Sequence, residues 1–115
     1  NMNILWKDKK RPIFGLPLSF TTYQLLEEKL LIDIGLIFKR QEEVRLYRIM
    51  DITLRQNILQ RIFGVGTIHC SSADQSTPDF DIKDIKKPYE VKEMLSRIVE
   101  EERNKKMVST SEFFG

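Results

Sequence analysis

Cysteine and histidine are almost absent: this chain of 115 residues has one histidine and one cysteine, the neighbours His69 and Cys70. A lone cysteine excludes an internal disulfide framework and suits a reducing compartment. One His and one Cys also fall short of the three or four ligands of a zinc site, so neither metal nor cofactor is expected. Long apolar runs are missing too. The Leu- and Ile-rich stretches are broken by Glu27, Glu28, Lys29 and Asp33, well short of the roughly 20 residues a membrane helix needs. Asn1 to Arg11 carries charge without an apolar core, so it does not read as a secretory leader. The expected location is therefore cytoplasmic, with a peripheral position at the inner face of a membrane as the variant. Nor is there a surplus of one charge. Nineteen basic against 17 acidic residues leave a net charge of +2, too little for a nucleic-acid binder.

What is present fits a small globular protein. Hydrophobic residues make up 41% and charged residues 31%, enough apolar surface to offset the entropy of ordering. The length suits one domain, read as residues 1–106 with a flexible tail over 107–115. Residues 1–18 read as an extended or loop-like entry, broken by Pro12, Gly15 and Pro17. Strands follow over about 19–85. Ser19 to Leu26 is rich in β-branched and aromatic residues, and Leu30, Ile32, Ile34 and Leu36 alternate on one face, so the two segments predict a hairpin. Gly35 marks a bulge or bend. Lys39 to Glu43 reads as a polar turn. The apolar phase shifts near Ile49, which predicts two short strands or one bent strand over Val44 to Gln56. Ile58, Leu59, Ile62 and Phe63 show helical spacing for about two turns, ended by Gly64. Thr67 to Ser72 and Phe80 to Ile85 read as strands, with a polar loop from Ala73 to Asp79.

Pro88 opens the one long helix, expected over about 88–105, with Val91, Met94, Leu95 and Ile98 as its apolar stripe. Glu93 with Arg97, Glu101 with Lys105 and Glu102 with Lys106 are spaced for ion pairs on its solvated side. Strands first and one amphipathic helix last imply an α+β domain rather than βαβ units.

Four stretches together resemble the bacterial pleckstrin-homology-like domain family. They are Tyr23-Gln-Leu-Leu26 with Leu31 to Leu36, then Leu46 to Gln56, then Leu59 to Ile68 with its Gly64-Val-Gly66 turn. The resemblance spans roughly residues 18–103 and rests on the order and spacing of the pieces. It implies a mainly β, PH-like split barrel of two near-orthogonal antiparallel sheets, capped by the C-terminal α-helix. It also implies a non-catalytic binding or assembly role, with no catalytic residues to carry over.

The remaining constellations are weighed against that role. Gly64-Val-Gly66 follows a helical turn and precedes a strand, the reverse of a phosphate loop, so it reads as a structural turn. His69 and Cys70 on one strand point to opposite faces, which argues against a Cys–His catalytic pair. Asp79, Asp81 and Asp84 are interspersed with Lys83, Lys86 and Lys87 and suggest no acid–base pair. Lys7, Lys9, Lys10 and Arg11 form the densest basic run, and Lys39 and Arg40 extend it if the fold brings them near. Together they are the candidate site for an anionic head group, as eukaryotic relatives use basic residues around their first hairpin. Trp6 and Phe14 are expected to cover the open end of the barrel. Phe113 and Phe114 are the candidate self-association residues. The leading functional expectation is a protein partner or homo-oligomer, the alternative an anionic membrane surface; nucleic acid and catalysis are not expected.

Overall fold

A computed structural model describes residues 3–11, 20–35, 37–72 and 78–114, with side chains described up to Val108. The expected roles of Phe14, Leu36 and most of the Ala73–Asp79 loop fall outside the described residues.

The expected hairpin forms between β2 (Thr21–Leu25) and β3 (Lys29–Ile34), paired antiparallel with Leu25 opposite Leu30 and Thr21 opposite Ile34. Leu30 and Ile32 enter the core, as their alternation requires. Two further strands flank this pair. β1 (Trp6–Lys9) lies inside the segment read as an extended or loop-like entry and pairs with β2. β4 (Arg40–Arg45) replaces the expected polar turn over Lys39–Glu43 and pairs with β3. The polarity misled because β4 is a sheet edge with only Val44 buried, and charge is how natural edge strands resist further pairing. Across the ladder Lys29 meets Glu43 at 3.0 Å, and along β4 Arg40 meets Glu42 at 3.3 Å. The first sheet is thus four-stranded and antiparallel, in the order β1-β2-β3-β4. Gly35 makes the bend after β3 at φ 113°, where a Cβ would collide with the Phe38 carbonyl oxygen.

The phase shift near Ile49 is a short 3-10 turn, Leu46–Arg48, between β4 and β5 (Ile49–Arg55). After β5 comes α1 (Ile58–Phe63), then β6 (Val65–Ser72) and β7 (Phe80–Lys86). These three strands form the second antiparallel sheet, β5-β6-β7. Gly64 caps α1 in the left-handed conformation at φ 71°, as its position predicts. Gly66 has a different duty: a Cβ there would lie 2.8 Å from the Pro88 ring, so the strand and the last helix touch through it.

α2 (Pro88–Phe114) starts at Pro88 as expected but does not stop near Lys105; its helical backbone continues to Phe114. Val91, Leu95, Ile98 and Val99 are buried in the core that both sheets share, and Met94 packs at the margin. Among the described residues its surface carries Lys92–Glu93 at 3.9 Å, Arg97–Glu101 at 3.4 Å and Lys105–Glu102 at 3.3 Å, so Arg97 and Lys105 each meet a different glutamate from the one expected. The core gathers Tyr23, Leu25, Leu46, Ile49, Ile68, Cys70, Ile82 and Ile85 between the sheets and α2.

The architecture is PH-like, two antiparallel sheets and a C-terminal helix, but the sheets are not closed into a barrel. Isolated bonds join them instead. The Lys83 N–H donates to the Tyr23 hydroxyl at 3.0 Å, the Arg11 N–H to the Asp84 carbonyl at 3.3 Å, and the Lys86 N–H to the Asp8 carboxylate at 3.0 Å.

Candidate functional site

Where β1 approaches the end of β7, the two sheets and the first turns of α2 enclose an open cleft of about 330 Å³. Its polar lining is Lys7, Asp8, Arg11, Lys86, Lys87 and Glu90, over an apolar wall of Trp6, Val91 and Met94. Four cations therefore face two carboxylates. Asp8 is already engaged: its oxygens accept from the Arg11 guanidinium at 2.8 and 3.1 Å, from the Lys9 N–H at 2.8 Å and from the Lys86 N–H at 3.0 Å. Burial by itself raises the Asp8 carboxyl, but the Arg11 hydrogen bonds, those from the two backbone N–H groups and the Arg11 charge outweigh it and leave the pKa below its ordinary value. Asp8 so holds Arg11 in place and fixes the end of β7. Lys7, Lys86 and Lys87 are exposed and make no ion pair among the described residues. Lys87 sits at φ 50°, in the left-handed region that turns the chain from β7 into α2.

Of the basic residues singled out in the sequence, Lys7 and Arg11 line this cleft. Lys9 and Lys10 lie on or just after the same strand but do not line it. Lys39 and Arg40 do not join them. The register runs from Lys10 through Thr21 and Ile34 to Arg40, placing Arg40 on the opposite edge of the sheet, roughly 14 Å away at the usual strand spacing. Lys86 and Lys87 are the residues that sequence reasoning missed, since among neighbouring aspartates they read as neutralised charge. No local spacing links them to Lys7; only the β1–β7 approach does. Trp6 is half-buried, packs against the core and forms the cleft wall. The side chains of Phe113 and Phe114 lie outside the described residues.

A second hollow, of about 460 Å³, is lined by Glu28, Arg45, Tyr47, Glu102, Lys105 and Lys106. Its charges are mixed and paired. Arg45 meets Glu28 and Glu43, Lys105 meets Glu102, and the Lys106 ammonium stands 4.8 Å from the centre of the Tyr47 ring.

On the second sheet the His69 ring contacts Asp81 at 2.6 Å and Asp79 at 3.5 Å, while Cys70 points the other way and is fully buried. Burial, with Asp81 nearby, pushes the Cys70 thiol up to about 12, so it has no thiolate to offer. Among the described residues no group of three or more His, Cys, Asp or Glu is arranged to hold a metal ion.

α1 departs from its sequence pattern in the way that bears most on function. Its apolar residues keep their helical spacing, yet the only buried residue of α1 is Gln60, with Leu59 half-buried. Ile58, Ile62 and Phe63 are 76%, 71% and 58% exposed.

No curated protein and no solved structure matches this chain. The family model described as Bacterial PH domain matches residues 15–99, from ahead of β2 through the buried part of α2. That span takes in both sheets except β1, and Lys86 and Lys87 lie within it, so the fold and the match agree: the chain belongs to the bacterial PH domain family.

Proposed function

We propose that this chain is a non-catalytic docking module that seats on an anionic membrane surface through the end of the molecule where β1, β7 and α2 meet. The family in general suggests a binding or scaffold module. The observation that carries the finer reading is the cleft in which Lys7, Arg11, Lys86 and Lys87 converge. Each cation close to an anionic leaflet contributes about 1 kcal/mol, so a small cluster is enough for reversible attachment. A protein partner is the sequence's first expectation; the convergence of four cations in one cleft favours an anionic surface over it. No helix among the described residues is long and apolar enough to cross a membrane, and a peripheral module requires none.

Co-sedimentation with phosphatidylcholine vesicles, with and without phosphatidylglycerol, tests the reading. Binding should require the anionic lipid and weaken as salt screens the charges. Reversing two charges with Lys86→Glu and Lys87→Glu should weaken it by more than roughly tenfold. Equal binding to both vesicle types, or indifference to the charge reversal, would sink the proposal.

A further inference from the structure

We infer that α1 is the element that enters the bilayer, its Ile58, Ile62 and Phe63 side chains inserting among the head groups and upper acyl chains of an anionic membrane. This rests on the membrane reading above and adds to it a second, apolar contact on a different element.

α1 is built inside out. Its polar Gln60 points inward, where its amide donates to Thr67 Oγ1 at 2.9 Å and to Asp84 Oδ1 at 2.8 Å and its oxygen accepts from the Asn57 N–H at 3.0 Å. The Asn57 side chain accepts in return from the Gln60 N–H at 2.8 Å, completing a capping box. Polar bonds and the half-buried Leu59 therefore hold the helix down, and the other three of its four apolar side chains stay in water. Leaving them exposed costs free energy in the isolated chain, so the face suits an apolar phase that the isolated chain lacks.

Charge decides which phase. From Ile52 to Ala73 the sequence has no acidic residue, while Arg55 and Arg61 are both exposed. The register places Lys86 opposite Val65, one residue beyond the Gly64 cap, so the cation cleft borders the same end of the second sheet. Among the described residues the carboxylate tied to α1 is Asp84, held on its inner side by Gln60. An apolar tip with Arg61 on it, Arg55 just before it and Lys86 beside its end complements an anionic interface, with apolar groups below the head groups and cations among them. Size agrees. Three side chains of at most about 200 Å² apiece fall short of the ~800 Å² per partner that a specific protein interface buries.

The test uses the full chain and the same two vesicle types. Ile58→Ser, Ile62→Ser and Phe63→Ser together should leave the thermal melt unchanged, because the removed groups are exposed, and should weaken binding to anionic vesicles at least tenfold. A Phe63→Cys variant can be labelled with an environment-sensitive fluorophore, since buried Cys70 does not compete. Its emission should shift to the blue on anionic vesicles, while the same probe on a Glu28→Cys variant, in the β2–β3 turn, should not respond. Unchanged binding of the triple variant, or an unshifted probe at position 63, overturns the inference. If that happens while the Lys86→Glu and Lys87→Glu changes still abolish binding, insertion fails and surface docking stands; if neither set matters, both fail. A triple variant that instead converts an oligomer to a monomer also overturns it, and assigns the face to a second copy.

Discussion

Asp8 bonds to groups that are far apart in sequence: the guanidinium of Arg11, three residues on, and the backbone of Lys86 at the end of the other sheet. Its side chain is 13% exposed, so these bonds are made where water competes poorly. Because its folded pKa lies below the ordinary 3.8, the unfolded chain binds more protons in acid. The stability it contributes is complete above 3.8 and is lost as pH falls through the lowered folded value. Asp8→Asn should therefore cost about 2 kcal/mol at neutral pH and give a shallower loss of stability in acid. Urea midpoints for both proteins across that range check it; parallel acid limbs would show that Asp8 is not the titrating tie. The lesson for the candidate site is equally local. A run of lysines and one arginine was legible at positions 7 to 11, but which of them shares a cleft depended on the partner of Asp8.

At the scale of elements, α1 sets polar anchoring against apolar exposure. Gln60→Ala leaves Asp84, Thr67 and the Asn57 N–H short of a partner, and should lower stability by about 2 kcal/mol. Ile62→Ser, on the exposed face, should stay within about 0.5 kcal/mol of the native chain. Thermal or urea unfolding of the two variants decides the matter, and the opposite ranking would mean that Ile62, not Gln60, anchors the helix. Periodicity found α1 and its ends but not which way its faces turn, because spacing reports which residues share a face and not what that face meets. β4 escaped notice for a related reason: an edge strand of Arg, Gln and Glu has no apolar alternation to read. α2 was found from its stripe, yet its end was not, since the stripe stops at Val99 while the backbone stays helical to Phe114.

At the scale of the whole molecule, two separate sheets must be kept in one arrangement with few bonds between them. The shared apolar core supplies most of the driving force, and the Tyr23 hydroxyl supplies orientation by accepting from the Lys83 N–H. Burial raises the Tyr23 phenol above its ordinary pKa, with Asp84 and Asp81 adding to the effect, so it stays neutral throughout the useful pH range. Tyr23→Phe keeps the ring in the core but strands the Lys83 N–H, and should cost about 1–2 kcal/mol with the slope of the urea transition unchanged. An unchanged midpoint would show that the core alone sets how the sheets meet. The proposed membrane end is a property at this same scale, because it joins β1, α1, β7 and the start of α2.

The sequence by itself determined the fold class and the elements other than β1 and β4. Period-two alternation in β3 and β6, the Gly35 and Gly64 punctuation and the Pro88 start are local physical chemistry, and the order of strands before helix follows from them. Only the tertiary structure decided that the two sheets stay unclosed, that Lys86 and Lys87 rather than Lys39 and Arg40 join Lys7 and Arg11, and that α1 turns Gln60 inward. Each of those depends on groups distant in the chain coming within hydrogen-bond reach, and no short-range pattern encodes which strand edge will lie beside which.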